Sequence, residues 1–243
     1  DINVEYKNKL KRNIQPVLET DLQKELELGF DNYEIVDKSS KVIEKSDIIY
    51  IIVPTPSLED GTFDTSYLED VIQQILNVDY CCKNKLLVIT STVLPGDTRS
   101  KLITKVRSQK NQIREINFCY SPEFIALGSV LNDFKNPDFL LVGEERSNSA
   151  DKHIQAMMTV VQNKNISVRR MSIESAELAK IAINSYITSK ISFANAIGIT
   201  ADSIENCSSR DVLLAIGSDS RIGKKYLSKG LGFGGPCFPR DNR

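Results

Sequence analysis

Between positions 230 and 241 the sequence runs Gly-Leu-Gly-Phe-Gly-Gly-Pro-Cys-Phe-Pro-Arg-Asp, so four of the chain's twelve glycines stand at 230, 232, 234 and 235. That density predicts a backbone with positive φ, or one that lets a ligand approach closely. Pro239 suits the first turn of a helix, where its missing N–H costs nothing. Cys237 then falls just ahead of a helix N-terminus, whose partial positive charge favours thiolate, and Asp241 falls one turn further on. A nucleophile and a carboxylate able to order water would share one site. The same spacing also fits a glycine-rich turn around a buried cysteine. A second pair, Lys180 and Asn184, has the i, i+4 spacing that places an ammonium and an amide on one helix face. Two such donors can stabilise an alkoxide or a tetrahedral oxyanion. A snorkelling lysine beside a surface asparagine would look alike.

The elements that must position these groups are legible from periodicity. Residues 174–203 contain no proline and a single glycine, Gly198, and read as one long helix. Its apolar residues, among them Leu178, Ile181, Tyr186, Ile187, Ile191, Ala194 and Ile197, fall on more than one face, which predicts burial on more than one side. A shorter helix follows, with Ser208 or Ser209 as its N-cap and Asp211 in its first turn. Upstream, strand-like runs at 48–53, 86–90, 117–120 and 139–142 alternate with helical patterns at 4–13, 65–76, 98–108 and 148–162. Such alternation predicts an α/β, doubly wound, mostly parallel sheet, which binds ligands at the carboxyl ends of its strands. The loops of interest are then Pro54-Thr55-Pro56, Ser91-Thr92-Val93 and Ser121-Pro122-Glu123.

Bulk properties exclude several classes. A net charge of −1 over 243 residues supplies no basic field for nucleic acid. No apolar run approaches the ~20 residues needed to span a bilayer. Five cysteines, an odd number without repeated Cys-x-x-Cys spacing, predict reduced thiols and a cytoplasmic protein. The one histidine, His153, follows Asp151-Lys152 in a mixed polar stretch, and a solvated helix position is expected for it. One histidine also argues against a metal site or a Ser-His triad.

The segments Glu177-Leu-Ala-Lys-Ile-Ala-Ile-Asn184, Lys190-Ile-Ser-Phe-Ala-Asn195, Val53-Pro-Thr-Pro56, Ser91-Thr-Val93, Ser121-Pro-Glu-Phe124 and Asn136-Pro-Asp138 resemble motifs of the UDP-glucose and GDP-mannose dehydrogenase family. Arg221-Ile-Gly-Lys-Lys-Tyr-Leu227, leading into Gly232-Phe-Gly-Gly-Pro-Cys-Phe-Pro-Arg-Asp241, is the most specific match. The resemblance covers nearly the whole chain in family order. It implies oxidation of a nucleotide-sugar hydroxymethyl to a carboxylate with two NAD. Cys237 would add to the aldehyde, giving a thiohemiacetal that becomes a thioester. Lys180 and Asn184 would stabilise the oxyanions, while Thr92, Glu123 and Asp241 would hold and activate water. NAD contacts are implied for Asp1, Val53, Pro54, Thr55, Ser91, Thr92, Glu123 and Arg240. The sugar nucleotide would meet Glu123, Phe124, Lys180, Asn184, Tyr226, Leu227, Phe233, Gly234 and Cys237. Arg221 resembles the arginine that reaches across a homodimer to the substrate. The implied organisation is an NAD-binding Rossmann-like domain over 1–170 and a helical dimerisation segment over 171–243.

Departures from the family pattern bear on the sugar more than on the reaction. Leu127 stands where a second glutamate is usual, Phe139 follows Asn136-Pro-Asp138 where arginine is common, Arg240 replaces a common lysine, and Tyr6 occupies an often basic place. UDP-glucose leads as substrate, with GDP-mannose or an N-acetylated UDP-hexosamine as rivals. In the family's order a first strand and its Gly-x-Gly-x-x-Gly turn would precede Asp1, and a nucleotide-sugar-binding domain would follow Arg243. Both ends look cut, so the chain by itself is expected to bind NAD poorly and to be inactive. The β-hydroxyacid dehydrogenases share the Lys-x-x-x-Asn helix but need no cysteine, and the Cys237 loop argues against them. A non-catalytic interaction module is the remaining rival.

Overall fold

The computed structural model of the chain describes residues 3–37, 39–78, 84–109, 115–235 and 237–242. Asp1, expected at the cofactor ribose, and Cys81 and Cys82 lie outside the described residues. Two compact units are present, Asp1–Thr55 with Thr65–Glu177, and Pro56–Asp64 with Leu178–Arg243.

In the first unit, α1 (Val4–Lys11), α2 (Leu22–Gly29) and α3 (Ser39–Lys45) precede β1 (Ile48–Ile51) and α4 (Ser66–Leu76). Then follow β2 (Leu86–Ile89), a π-helical stretch Thr98–Ile103 that continues into α5 (Thr104–Arg107), β3 (Asn117–Tyr120) and α6 (Val130–Lys135). The unit continues with β4 (Phe139–Glu144), α7 (Asp151–Val160) and β5 (Ser167–Ser172). Among the described residues the strands form one sheet in the order β1-β2-β3-β4-β5. It is parallel except where β3 meets β4, an antiparallel pairing confined to Cys119–Glu144 and Tyr120–Gly143. The mostly parallel α/β sheet expected from the alternation is therefore present. β2 is buried at every position, as a strand between helix-covered faces must be. α4 sets Leu68, Ile72 and Ile75 one turn apart and wholly inside, each worth about 1.5–3 kcal/mol of apolar burial. α7 lays Met157, with Ile154 and Met158, against Leu86, Val88, Cys119, Leu140 and Val142 of the sheet. At Gly143 a Cβ would stand 2.9 Å from Ala176 Cβ and from Ile173 Cα, so only glycine lets β4 come this close to the next helix.

Four elements escape the periodicity argument. β5, Ser-Val-Arg-Arg-Met-Ser, has little apolar content, yet it pairs with β4 over six positions. As an edge strand it is largely solvated, and its charge guards against edge pairing; Arg170 is bonded to Glu144 and Asp151. Helices α2 and α6 bury no residue, so they carry no strong core-facing stripe to read, and α3 is only seven residues long. One expectation is overturned: His153 is not solvated but only 1% exposed, because α7 turns it onto the sheet rather than outward.

The second unit contains most of α8 (Ile173–Asp202), then α9 (Ser209–Ser218) and α10 (Phe238–Asp241). Ser208 caps α9 by accepting the Asp211 N–H, the arrangement its sequence predicts. Ala194, Leu213 and Leu227 form its core, with Ile197 and Ile216 against them. Leu178, Tyr186, Phe193 and Ile199 of α8 remain exposed; the 3.6-residue period puts them within roughly 140° on one side. The segment Pro56–Asp64 folds as a small hairpin, with Ser57 bridged to Phe63 and the Leu58 N–H donated to Thr62. Among the described residues no helix is long and apolar enough to cross a membrane, and no cluster of His, Cys, Asp and Glu could hold a metal.

Candidate functional site

The first unit gathers three candidate loops at the carboxyl ends of its parallel strands. Ser91 Oγ accepts the Val53 N–H at 2.8 Å and donates to the Val53 carbonyl at 2.7 Å, so one hydroxyl satisfies both backbone groups after β1. Thr55 Oγ1 donates to the Thr92 carbonyl at 2.6 Å. Val53, Thr55, Ser91 and Thr92 are thereby tied across the tips of β1 and β2, and Thr55 and Ser91 are buried. This is where an open α/β sheet receives a dinucleotide, and the fixed backbone there suits one.

The third loop, Ser121-Pro122-Glu123-Phe124, leaves β3. Ser121 Oγ donates to the Leu141 carbonyl on β4 at 3.0 Å and lies 2.9 Å from His153 Nε2. His153 Nδ1 lies 3.0 Å from the Tyr50 hydroxyl of β1. Burial holds the His153 imidazole down at about 4, so it is neutral at pH 7. Phe124 packs on Phe139 with ring centroids 5.2 Å apart, which accounts for phenylalanine after Asn136-Pro-Asp138. Beyond it, the Glu19 carboxylate accepts the N–H groups of Gly128 and Val130 at 2.9 and 3.3 Å. Leu127, on the loop so pinned, is exposed.

The second unit holds the other candidates. Lys180 is buried on α8, and Asn184, one turn on, is half-buried. Asn184 Nδ2 donates to Asp241 Oδ2 at 2.6 Å, while Arg240 Nε donates to Asp241 Oδ1 at 2.7 Å. Each oxygen of the buried Asp241 carboxylate thus has its own donor, a charge-assisted arrangement that fixes its plane. The Arg240 guanidinium stands 4.9 Å over the ring of Phe63, from the Pro56–Asp64 hairpin. Arg240, which the resemblance implies as an NAD contact, is thus bonded to Asp241 through Nε and stacked on Phe63. Cys237 is exposed at the N-cap of α10, and its carbonyl accepts the Asp241 N–H at 2.9 Å. Gly232 and Gly235 have φ of 118° and 81°, the left-handed backbone that the glycine density predicts.

Other expected contacts fall differently. Leu227 packs into the helical core, so only its backbone is available to a ligand. Tyr226 is half-exposed with φ 65°, and Phe233 is exposed with its ring 6.3 Å from that of Phe238. Arg221 is solvated and bonded to Asp219 at 2.6 Å. Sequence reasoning missed Phe63, Tyr50, Glu19 and the partners of His153. Only Phe63 had a local signal, since Asp60-Gly61 marks a hairpin turn two residues before it.

Comparisons with known proteins show the family and the fold. Residues 1–165 match the model of the UDP-glucose/GDP-mannose dehydrogenase family, NAD binding domain, and residues 174–243 match that family's central domain. The UDP-glucose 6-dehydrogenase of Rickettsia conorii is 31% identical over 236 residues, covering 96% of this chain and 52% of that protein. UDP-glucose dehydrogenase from the archaeon Pyrobaculum islandicum superposes with a TM-score of 0.86 at 29% identity, over 99% of this chain and 55% of that one. GDP-mannose dehydrogenase of Pseudomonas aeruginosa shares the fold, with a TM-score of 0.79 at 24% identity over 99% of this chain and 56% of that one. The chain spans about half the length of the curated relatives it matches.

Proposed function

The chain belongs to the UDP-glucose/GDP-mannose dehydrogenase family, and on that premise we propose that it serves the four-electron oxidation of a nucleotide sugar to its uronate. The observation that carries this reading is the Asp241 carboxylate, gripped by Asn184 and Arg240 one turn behind the exposed Cys237. NAD supplies the hydride acceptor, and the loops Val53–Thr55 and Ser91–Thr92 are the residues that would hold it. In the first oxidation, with bound NAD as the hydride acceptor, the alcohol proton would pass to water, for which the family resemblance gives the holding and activating roles to Thr92, Glu123 and Asp241. The Cys237 thiolate then bonds to the aldehyde carbon, opening its C=O π bond to an oxyanion that Lys180 and Asn184 stabilise. That thiohemiacetal carbon is tetrahedral and carries a hydride, which a free aldehyde could not deliver in the same way. Removal of that hydride, which a second bound NAD would accept, would leave a thioester on Cys237. Water attacks the thioester, the C–S bond breaks, and Cys237 is regenerated as the carboxylate departs. One alcohol, two NAD and one water give one carboxylate, two NADH and three protons.

UDP-glucose is the leading substrate in this reading, supported by the relatives at 30% identity or above that bear that name. The proposed organisation is an NAD-binding part over 1–170 and a helical dimerisation segment over 171–243. The exposed stripe Leu178, Tyr186, Phe193 and Ile199 is the face assigned to the homodimer, with Arg221 serving the partner's substrate. The test is NADH formation by the full-length protein with UDP-glucose, GDP-mannose and N-acetylated UDP-hexosamines. Reduction of NAD with UDP-glucose foremost is expected. Reduction with none of them would remove the reading, and the interaction-module alternative would take its place.

A further inference from the structure

The buried His153 has no part in the reaction above, yet it joins three elements. Ser121's hydroxyl hydrogen is committed to the Leu141 carbonyl at 3.0 Å. With that hydrogen so directed, Ser121 Oγ accepts from the imidazole 2.9 Å away, the arrangement of the Nε2–H tautomer. Nδ1 is left as an acceptor, and the Tyr50 hydroxyl at 3.0 Å is its donor. In that tautomer one run of donors leads from Tyr50 through His153 and Ser121 to Leu141. The Tyr50 ring also meets the imidazole edge-on, at a centroid distance of 5.6 Å.

We propose that His153 is a positioning residue that, by donating to Ser121 and accepting from Tyr50, locks the Ser121-Pro122-Glu123 turn and so sets where the Glu123 carboxylate stands. This role rests on the reading that Glu123 orders water in a dehydrogenase. Ser121 is two residues from Glu123, and a turn that short transmits the anchor directly to the carboxylate. A proline between the two removes one backbone freedom that could absorb a shift. A charged imidazolium could not replace the neutral ring, since both its nitrogens would donate and Tyr50 would lose its acceptor. The titratable groups facing this run are Tyr50 from β1, Cys119 and Glu123 from β3 and its turn, and Glu144 from β4 opposite Cys119. Burial, with the charges of Cys119 and Glu123 after it, pushes the Tyr50 phenol up, so the phenol keeps its hydrogen across the neutral range. Asp151, on the same helix as His153, is engaged instead with Arg170.

Two measurements on the full-length protein test the role. With 15N-labelled histidine, the ring signal that His153→Gln removes belongs to His153. It should report a neutral Nε2–H ring from about pH 8 to about pH 5.5, below the usual histidine range. In kinetics with a nucleotide sugar, His153→Leu should lower kcat about tenfold, with KM changed by less than about twofold, because misplacement of a reacting group acts on the chemical step. His153→Gln, whose amide N–H can reach Ser121, should recover most of that loss. Tyr50→Phe should lower kcat about threefold by the same logic while the ring stays Nε2–H, and it carries the kinetic test if His153→Leu does not fold. An Nδ1–H or doubly protonated ring in the wild type would overturn the proposal. So would an unchanged kcat in His153→Leu or Tyr50→Phe, or a loss that glutamine does not restore. A wild type that reduces no NAD with any nucleotide sugar sinks the dehydrogenase reading and this role with it. An active wild type with indifferent variants sinks this role alone.

Discussion

The Ser121-Pro122-Glu123 turn and the Cys237 segment are held by opposite means. The turn hangs on neutral groups: a buried imidazole, a phenol, a hydroxyl and a carbonyl, each satisfied by the next. The Cys237 segment hangs on charge, with Asp241 bonded to Arg240 and to the Asn184 amide, and Arg240 stacked over Phe63. A neutral network, buried at His153 and Ser121 and reaching the surface at Tyr50, specifies one geometry and resists change until a group inside it ionises. A charged pair with a buried carboxylate orients that carboxylate strongly, while Cys237, one turn away, stays exposed. The lesson is that one part of this chain fixes a position while the other exposes a thiol, and each uses the interaction suited to its task.

That contrast can be broken from either side. The largest effect is expected from Asp241→Asn, which keeps the shape but removes the charge that Arg240 meets and the base that water would use. Acid formation should fall about 10²–10⁴-fold, the usual worth of a positioned acid–base group, read by steady-state NADH formation. Activity within a few-fold of wild type would mean that Asp241 is structural only. A smaller effect is expected from pH on the neutral side. His153 has a folded value of about 4 against an ordinary 6.5, so the unfolded chain binds more protons between those values. Stability conferred by the neutral ring is therefore fully present above about pH 6.5 and declines as pH falls, by up to about 3 kcal/mol once pH passes below the folded value. Urea unfolding at about pH 7 and about pH 4.5 should show that His153→Gln loses less on acidification than wild type. Parallel losses would place the imidazole in solvent after all. The smallest effect belongs to Phe63→Leu, which keeps apolar bulk but removes the ring face under Arg240. A loss of about 0.5–1 kcal/mol in stability is expected, with a few-fold lower turnover through Asp241. No change in either would make the ring contact incidental.

The sheet was legible where strands are buried on both faces, because runs such as Leu86-Leu-Val-Ile89 announce themselves. β5 was not, since two arginines sit in it and its stability comes from pairing with β4 rather than from its own side chains. The helix start at Ser208 and the glycine backbone before Cys237 were readable because caps and positive φ impose residue types locally. His153 was misread for the converse reason. Its sequence neighbours are polar, while its partners Tyr50 and Ser121 lie 103 and 32 positions away, and no local pattern encodes such distances. The ring of Phe63 beneath Arg240 was not legible either, because the hairpin that carries it is remote in sequence.

The central claim is that Cys237 forms a covalent bond to the aldehyde, and the count of NADH per sugar tests it most directly. The full-length enzyme should yield two NADH for each nucleotide sugar consumed, with the carboxylate as sole sugar product, and Cys237→Ser should form no carboxylate from the alcohol. A ratio of one with free aldehyde released, or undiminished carboxylate from Cys237→Ser, would contradict the account.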